Sequence, residues 1–399
     1  MLNENIDWFV GGRIAGRPEL VDIGCMATTI VAIENHNAAG SRQGYALNGA
    51  LVMPAMAQWH THIDKTYTVE RAPQTEPGLL GAINACTNDH KNWTAQDIAE
   101  RANRALSEAF ESGCTLVRTH VDWKLPDEPL GWAVLEEVAQ AWRGRVTLER
   151  VALTRAEFFD DLQLTHKVLT AIKKRGGILG AFIHSSNATS ARMHSIAAQA
   201  LKHELAMDLH LDEEINPLAQ GLEWLLQAVA QGPVQVANRP AIAVSHICAL
   251  ATKTMDEAER LIAGLAGAQI TVIALPTTNL FLQDQTDPAC PLTPHIRGIA
   301  PVHELKRAGV TVKLSCDNIQ DPFYPWGNYD PITLMQTAAP ALQLMNCFND
   351  WSDTIAAHPL AVGEAGNLVI FKGSAPSSWP AMPFANEPRL LVRGGKLVQ

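Results

Sequence analysis

The chain has 399 residues, 47% of them hydrophobic, which is enough to bury a large core and longer than most single domains, so one large domain with a smaller companion is expected. A formal net charge of -10, a pI of about 5.8 and the lack of any dense Lys/Arg run exclude nucleic acid and anionic membrane as main partners and favour a small-molecule ligand, while leaving room for a homo-oligomer. Residues 1–9 lack the basic start and apolar core of a signal peptide, no stretch reaches membrane-span length, and the seven scattered cysteines form no Cys-x-x-Cys, which together predict a cytoplasmic protein with reduced thiols.

Up to about residue 50 the chain holds short apolar patches broken by Gly and polar residues, such as Trp8, Phe9 and Val10 before Gly11 and Gly12. This is the punctuation of short strands and turns. The carboxyl end is similar, with Leu368 to Phe371, then Leu390 to Val392 before a Gly394-Gly395 turn. The two ends, 1–50 and 360–399, are therefore expected to meet in one small β-sandwich domain, with 51–359 as a central domain.

The central stretch alternates apolar runs with helix-like segments, the pattern of repeated βα units. The runs are 51–59, 115–120, 146–153, 179–184, 206–211, 241–246, 269–275 and 309–315. Among the helices the clearest is 94–112: Thr94 can cap it with Asp97 three residues on, Ile98, Ala102, Leu106 and Phe110 recur at helical spacing, and Gly113 ends it. Eight such units close into a TIM-type (β/α)₈ barrel, an α/β fold whose site lies at the carboxyl ends of its strands. A doubly wound open sheet would bring a Gly-rich phosphate loop after its first strand, and this chain has none.

The candidate site residues fall at those strand ends. Residues 52–65 read Val-Met-Pro-Ala-Met-Ala-Gln-Trp-His-Thr-His-Ile-Asp-Lys, and side chains two apart on a strand share a face, so His60 and His62 can reach one cation. His210 and Glu213 follow the fifth run, His246 closes the sixth and Asp317 follows the eighth. Imidazole nitrogen with carboxylate oxygen suits Zn²⁺ or Fe²⁺ and is too nitrogen-rich for Ca²⁺ or Mg²⁺. A catalytic metal would lower the pKa of a bound water towards neutrality; Glu213, with Asp212 as competitor, could carry protons, and His246 could hold the water or complete the coordination shell. His120, His184, His303 and His358, taken singly, read as hydrogen-bonded structural histidines.

These residues resemble a family. His60-Thr61-His62, His210-Leu211-Asp212-Glu213, Ser245-His246 and Cys316-Asp317 look like the metal and catalytic motifs of the amidohydrolase superfamily, in its cytosine deaminase-like branch. Residues 117–122 and 321–325 extend the resemblance, which covers nearly the whole chain. It implies a barrel with a small β-sandwich from both chain ends, and one divalent metal, Zn²⁺ or Fe²⁺, on His60, His62, His210 and Asp317. Its further implications are a water contact for His246, a proton shuttle for Glu213, and Asp317 as both ligand and proton acceptor. Binuclear members carry a carboxylated lysine at the end of the fourth strand; here that end reads Ala181-Phe182-Ile183-His184-Ser185, so a mononuclear site is expected. The unrelated zinc deaminase fold needs Pro-Cys-x-x-Cys and is excluded.

The implied reaction is hydrolytic deamination of an aminated nitrogen heterocycle, a cytosine-like pyrimidine or related ring, releasing ammonia. Where cytosine deaminases carry a Gln beyond the third strand, this chain has Thr154, Arg155 and Ala156, and Arg155 could bind an electron-rich carbonyl or an anionic group. Asn318 replaces the acidic residue after the metal Asp and alters ring recognition. Lys65 resembles the branch that hydrolyses N-alkylated triazines such as N-isopropylammelide, so removal of an alkylamine is an alternative. Trp326 could form an aromatic wall over a flat ring. A barrel that binds metal or ligand without catalysis is the remaining alternative, and Glu213→Gln separates it from an enzyme.

Overall fold

The computed structural model describes residues 6–40, 42–232, 239–287, 289–372, 383, 385 and 387–398; the remaining positions of the expected terminal domain segments lie outside the described residues. The chain forms two compact units, one of Met1–Gln58, Glu108–Leu116 and Tyr329–Gln399, the other of Trp59–Ser107 and Val117–Asn328.

In the first unit, strands Asp7–Gly12, Val21–Met26, Thr29–Asn35 and Tyr45–Ala46 make one sheet in the order third, second, first, fourth. A second sheet is built from both chain ends: Leu51–Pro54 and Arg389–Arg393 flank Leu368–Phe371, and Lys396–Leu397 pairs on the outside. All its pairings are antiparallel. Phe9, Ile23, Ile30, Val52, Ile370 and Val392 form one buried core between these strands. Gly113 opens the following strand at φ +101°, where a Cβ would stand 2.5 Å from Val369 Cγ2, so both backbone conformation and space demand glycine.

Eight strands form a nearly closed parallel barrel in strict chain order: Met56–Thr61, Cys114–Trp123, Thr147–Arg155, Ile178–Ile183, Met207–Leu211, Ile242–His246, Thr271–Ala274 and Val312–Leu314. The expected run 51–59 is two strands, and this corrects the sequence reading. Pro54 has no N–H to continue a ladder, and Ala55 N donates instead to Asn367 O at 2.8 Å, so Leu51–Pro54 stays in the small sheet while Met56–Thr61 starts the barrel. At the seam between the first and eighth strands Thr61 bridges Asp317, Asp317 N donates to His60 O at 3.1 Å, and Ser315 Oγ accepts from His60 N at 2.8 Å. Helix Ala95–Glu111 starts where expected, with Asp97 N donating to Thr94 Oγ1 at 3.1 Å and Ile98, Ala102 and Leu106 buried. Among the described residues no helix is long and apolar enough to cross a membrane.

Candidate metal centre and its cavity

The barrel delivers its polar groups at the carboxyl ends of the strands. His60 lies on the first strand with His62 just beyond it, His210 is on the fifth, His246 ends the sixth, and Asp317 follows the eighth. His210 Nε2 stands 3.2 Å from both His60 Nε2 and His62 Nε2, and Asp317 Oδ1 is 3.4 Å and 3.2 Å from those same two nitrogens. All four side chains are buried.

Two observations test whether this set fits a metal. Neighbouring ligands of a tetrahedral ion with bonds of about 2.0–2.1 Å lie about 3.3–3.4 Å apart, close to the separations seen here. Both carboxylate oxygens of Asp317 are buried without a hydrogen-bond partner, a costly state that a cation among the converging Nε2 atoms would relieve. Burial, assisted by the Lys65 charge, lowers His62 to about 4, and burial with the neighbouring histidines holds His210 well below the usual imidazole range. Burial alone would raise Asp317, but the His60 and His62 imidazoles beside it hold it well below the carboxylate range. Neutral imidazoles and a carboxylate are the protonation states a divalent transition metal requires.

Glu213 and His246 flank this cluster. Glu213 Oε1 lies 3.3 Å from His246 Nδ1, and Asn279 Nδ2 lies 3.0 Å from the same nitrogen. His246 Nε2, on the far side of the ring, is buried without a protein partner. Burial, with the Asp317 charge, pushes Glu213 well above the usual carboxylate range. Asp212 does a different job: its carboxylate accepts from Gly221 N at 3.2 Å and Leu222 N at 2.9 Å and caps helix Gly221–Ala230. Backbones at Asp212, His246, Ile247 and Asp317 all take positive φ, so the chain turns sharply where the strands end.

A cavity of about 300 Å³ opens beside these groups. Its walls include Leu79, Ile83, Cys86, Leu153, Phe182 and Phe323. Lys65 lines it too, with Nζ 2.9 Å from Asp122 Oδ1 and 5.2 Å from the Phe323 ring centroid. Asn318, also on the wall, donates through Nδ2 to Asp321 Oδ2 at 2.6 Å. Arg155 stands at the cavity with a side chain 57% exposed and Glu157 3.5 Å away. Trp326 is 59% exposed, packs edge-on against Phe281 and Tyr324, and is not among the lining residues.

Sequence reasoning missed Asn279, quoted Asp122 and Phe323 only within the stretches 117–122 and 321–325 without giving them a role, and read His120 as an ordinary hydrogen-bonded histidine. His120 is instead fully buried against the cluster, stacked on the His60 ring at 3.8 Å, with neither ring nitrogen in a hydrogen bond. Its Nε2 faces Asp208 Oδ1 at 3.7 Å, and Arg118 holds the other oxygen of that carboxylate at 2.8 Å. The available signals were its place at the end of the second apolar run and within the stretch 117–122 that extends the family resemblance.

A barrel with this arrangement of donors defines a class, and the family comparison agrees: the chain belongs to the amidohydrolase family, whose model matches residues 51–357. It is accordingly a hydrolase of carbon–nitrogen bonds other than peptide bonds. Among curated proteins it is 30% identical over 365 residues to a pterin deaminase of Rhizobium rhizogenes, covering 88% of this chain and 81% of that one. Its fold is similar to those of two solved structures. One is 5-methylcytosine deaminase from Klebsiella pneumoniae, with a TM-score of 0.82, 22% identity, and 98% and 97% of the two chains covered. The other is N-isopropylammelide isopropylaminohydrolase from Burkholderia multivorans, with a TM-score of 0.74, 21% identity, and 99% and 98% covered.

Proposed function

We propose that this protein is a metal-dependent deaminase that replaces the amino group of a nitrogen heterocycle by oxygen and releases ammonia, with pterin-type rings as the first substrates to test. The observation that carries this reading is Glu213, a buried carboxyl held next to His246 between the four-donor cluster and the cavity. The 30% identical pterin deaminase supports the choice of ring. A cavity of about 300 Å³ suits a flat one- or two-ring molecule.

His60, His62, His210 and Asp317 would hold the divalent metal, Zn²⁺ or Fe²⁺, which when bound supplies Lewis acidity and brings an attacking water towards ionisation at neutral pH. Glu213, kept protonated by its surroundings, hands its proton to the ring nitrogen next to the amine-bearing carbon. His246 orients the incoming oxygen through its unpartnered Nε2, and Asp317 accepts the proton that the water gives up. The amino group takes the proton held by Asp317 and leaves as ammonia as the C–N bond breaks, while the second proton of the water passes to Glu213, restoring its acid form, and the carbon keeps the oxygen as a carbonyl.

The buried Lys65 beside Asp122 favours a second reading, loss of an alkylamine from an N-substituted triazine, and a 21% identical relative from Pseudomonas is an N-isopropylammelide isopropyl amidohydrolase. One experiment decides between them. Metal-loaded protein is incubated with aminated pteridines, purines, pyrimidines and N-alkyl triazines, following ammonia, alkylamine and product mass. Ammonia from a ring supports deamination, alkylamine supports the second reading, and a metal-loaded protein that acts on none of them overturns both.

A further inference from the structure

Which ring edge this cavity reads can be worked out by elimination, and the argument rests on the deaminase reading above. Among the neutral polar side chains of the wall, Thr154 gives its hydroxyl hydrogen to Gly180 O at 2.7 Å. Asn187 is used at both ends, donating to Phe182 O at 3.1 Å and accepting from His184 N at 3.0 Å. Asn318 remains, and its nitrogen is committed. Asp321, fully buried, accepts Asn318 Nδ2 on Oδ2 at 2.6 Å and takes Phe323 N and Tyr324 N on Oδ1 at 2.9 Å and 3.1 Å. A carboxylate so placed accepts only the NH₂ end of an amide, because the carbonyl end would set oxygen against oxygen. Asp321 therefore takes one of the two Asn318 N–H bonds, fixes which end of the amide is the nitrogen, and leaves the carbonyl oxygen uncommitted. Lys65 spends one of its three N–H bonds on Asp122 and offers the others.

We infer that Asn318 and Lys65 together read a lactam edge, –NH–C(=O)–, with Asn318 Oδ1 accepting from the ring N–H and Lys65 Nζ donating to the ring carbonyl, and that Asp321 is the positioning residue that fixes the Asn318 amide in this sense. The substrate class is thus an aminated heterocycle carrying a lactam, distinct from one in which that carbonyl is replaced by a second amino group. An amino group there turns its hydrogens towards the Lys65 ammonium, and the unprotonated ring nitrogen sets its lone pair against the Asn318 oxygen. Sites that hydrogen-bond a substrate group reject analogues lacking it by as much as about 10⁴–10⁵.

The test compares pterin with 2,4-diaminopteridine, by kcat/KM and by direct binding, in metal-loaded parent, Asn318→Leu and Asp321→Asn proteins. It is run at about pH 7.5, above the value of about 7 to which burial raises Asp321 and low enough for pterin to keep its lactam N–H. The parent should favour pterin by at least about 10²-fold, and each variant should lose about tenfold or more of that ratio. A purely structural role would lower both activities together and leave the ratio unmoved; Asn318→Leu keeps the test decisive if Asp321→Asn does not fold. A parent that deaminates rings without preferring the lactam, or variants that keep the full ratio, overturn the inference and leave the deaminase reading standing. A parent that neither binds nor deaminates any aminated ring overturns both.

Discussion

Glu213 Oε1 and His246 Nδ1 stand 3.3 Å apart, and neither side chain reaches bulk solvent. A proton on that carboxyl has the imidazole and the cavity as its outlets. Glu213→Gln keeps the size and neutral charge of the protonated acid and removes the transferable proton. The variant is expected to keep the parent's metal content and lose about 10²–10⁴ in kcat, measured by elemental analysis and ammonia release on the same sample. Parent-like behaviour would point to a barrel that binds without catalysing.

Four donors packed at the carboxyl end of the barrel should make the folded chain depend on the cation. Zn²⁺ or Fe²⁺ returned to chelator-stripped protein at a hundredfold excess over Kd stabilises by about 2.7 kcal/mol and raises Tm by a few degrees. Asp317→Ala should abolish this rise. A thermal scan that is indifferent to metal would refute the assignment of the cluster as a metal centre.

Lys65 and Asp122 are both buried. Lys65→Met leaves the carboxylate with only Lys124, whose Nζ is 3.2 Å from Asp122 Oδ2 and whose side chain is 44% exposed. Breaking a buried pair costs about 3–5 kcal/mol, and with Lys124 in reach the lower end is expected in denaturant titrations. Adding Asp122→Leu should recover much of the loss; a double variant as unstable as Lys65→Met would show that the pair does not set the cost.

Cysteine chemistry provides a pH test. Cys290 is exposed and the other six cysteines are buried. Burial pushes Cys86 up to about 12, and burial with the nearby Asp7 carboxylate pushes Cys25 up to about 11, from 9.0 in each case. A disulfide reagent near neutral pH should therefore titrate one thiol in the native protein and seven after unfolding. Because the folded values are raised, the unfolded chain releases these protons first, so stability is full below about pH 9 and falls as pH climbs towards 12. Replacing Cys86 by Ser should flatten that alkaline decline in equilibrium unfolding.

The barrel was legible because a parallel strand covered on both faces leaves an unbroken apolar run, and eight such runs stand in order between helical segments. The same property concealed the break after Pro54, since the residues on either side are equally apolar although they serve different sheets. His60 and His62 stood out because two imidazoles at period two carry a local signal. His120 had none, as its stack on His60 joins residues on different strands. The role of Asp122 was hidden for a related reason: its partner Lys65 lies 57 residues away, and only the neighbouring of the first two strands brings them together. Asn318 was visible as a departure from a motif, but its orientation depends on Asp321, a dependence that exists only once residues 318–324 have turned back on themselves.

The donors of the metal centre come from the first, fifth and eighth strands, in that order of synthesis. A ribosome releases His60 and His62 long before it makes Asp317, and the last strand of the barrel is also the last to bring a donor. A nascent or truncated chain that ends before Asp317 can offer an incoming cation some of these groups but not all four. On the proposed assignment, full metal loading waits for the eighth strand, and the metal content of a preparation counts the molecules whose barrel has been completed.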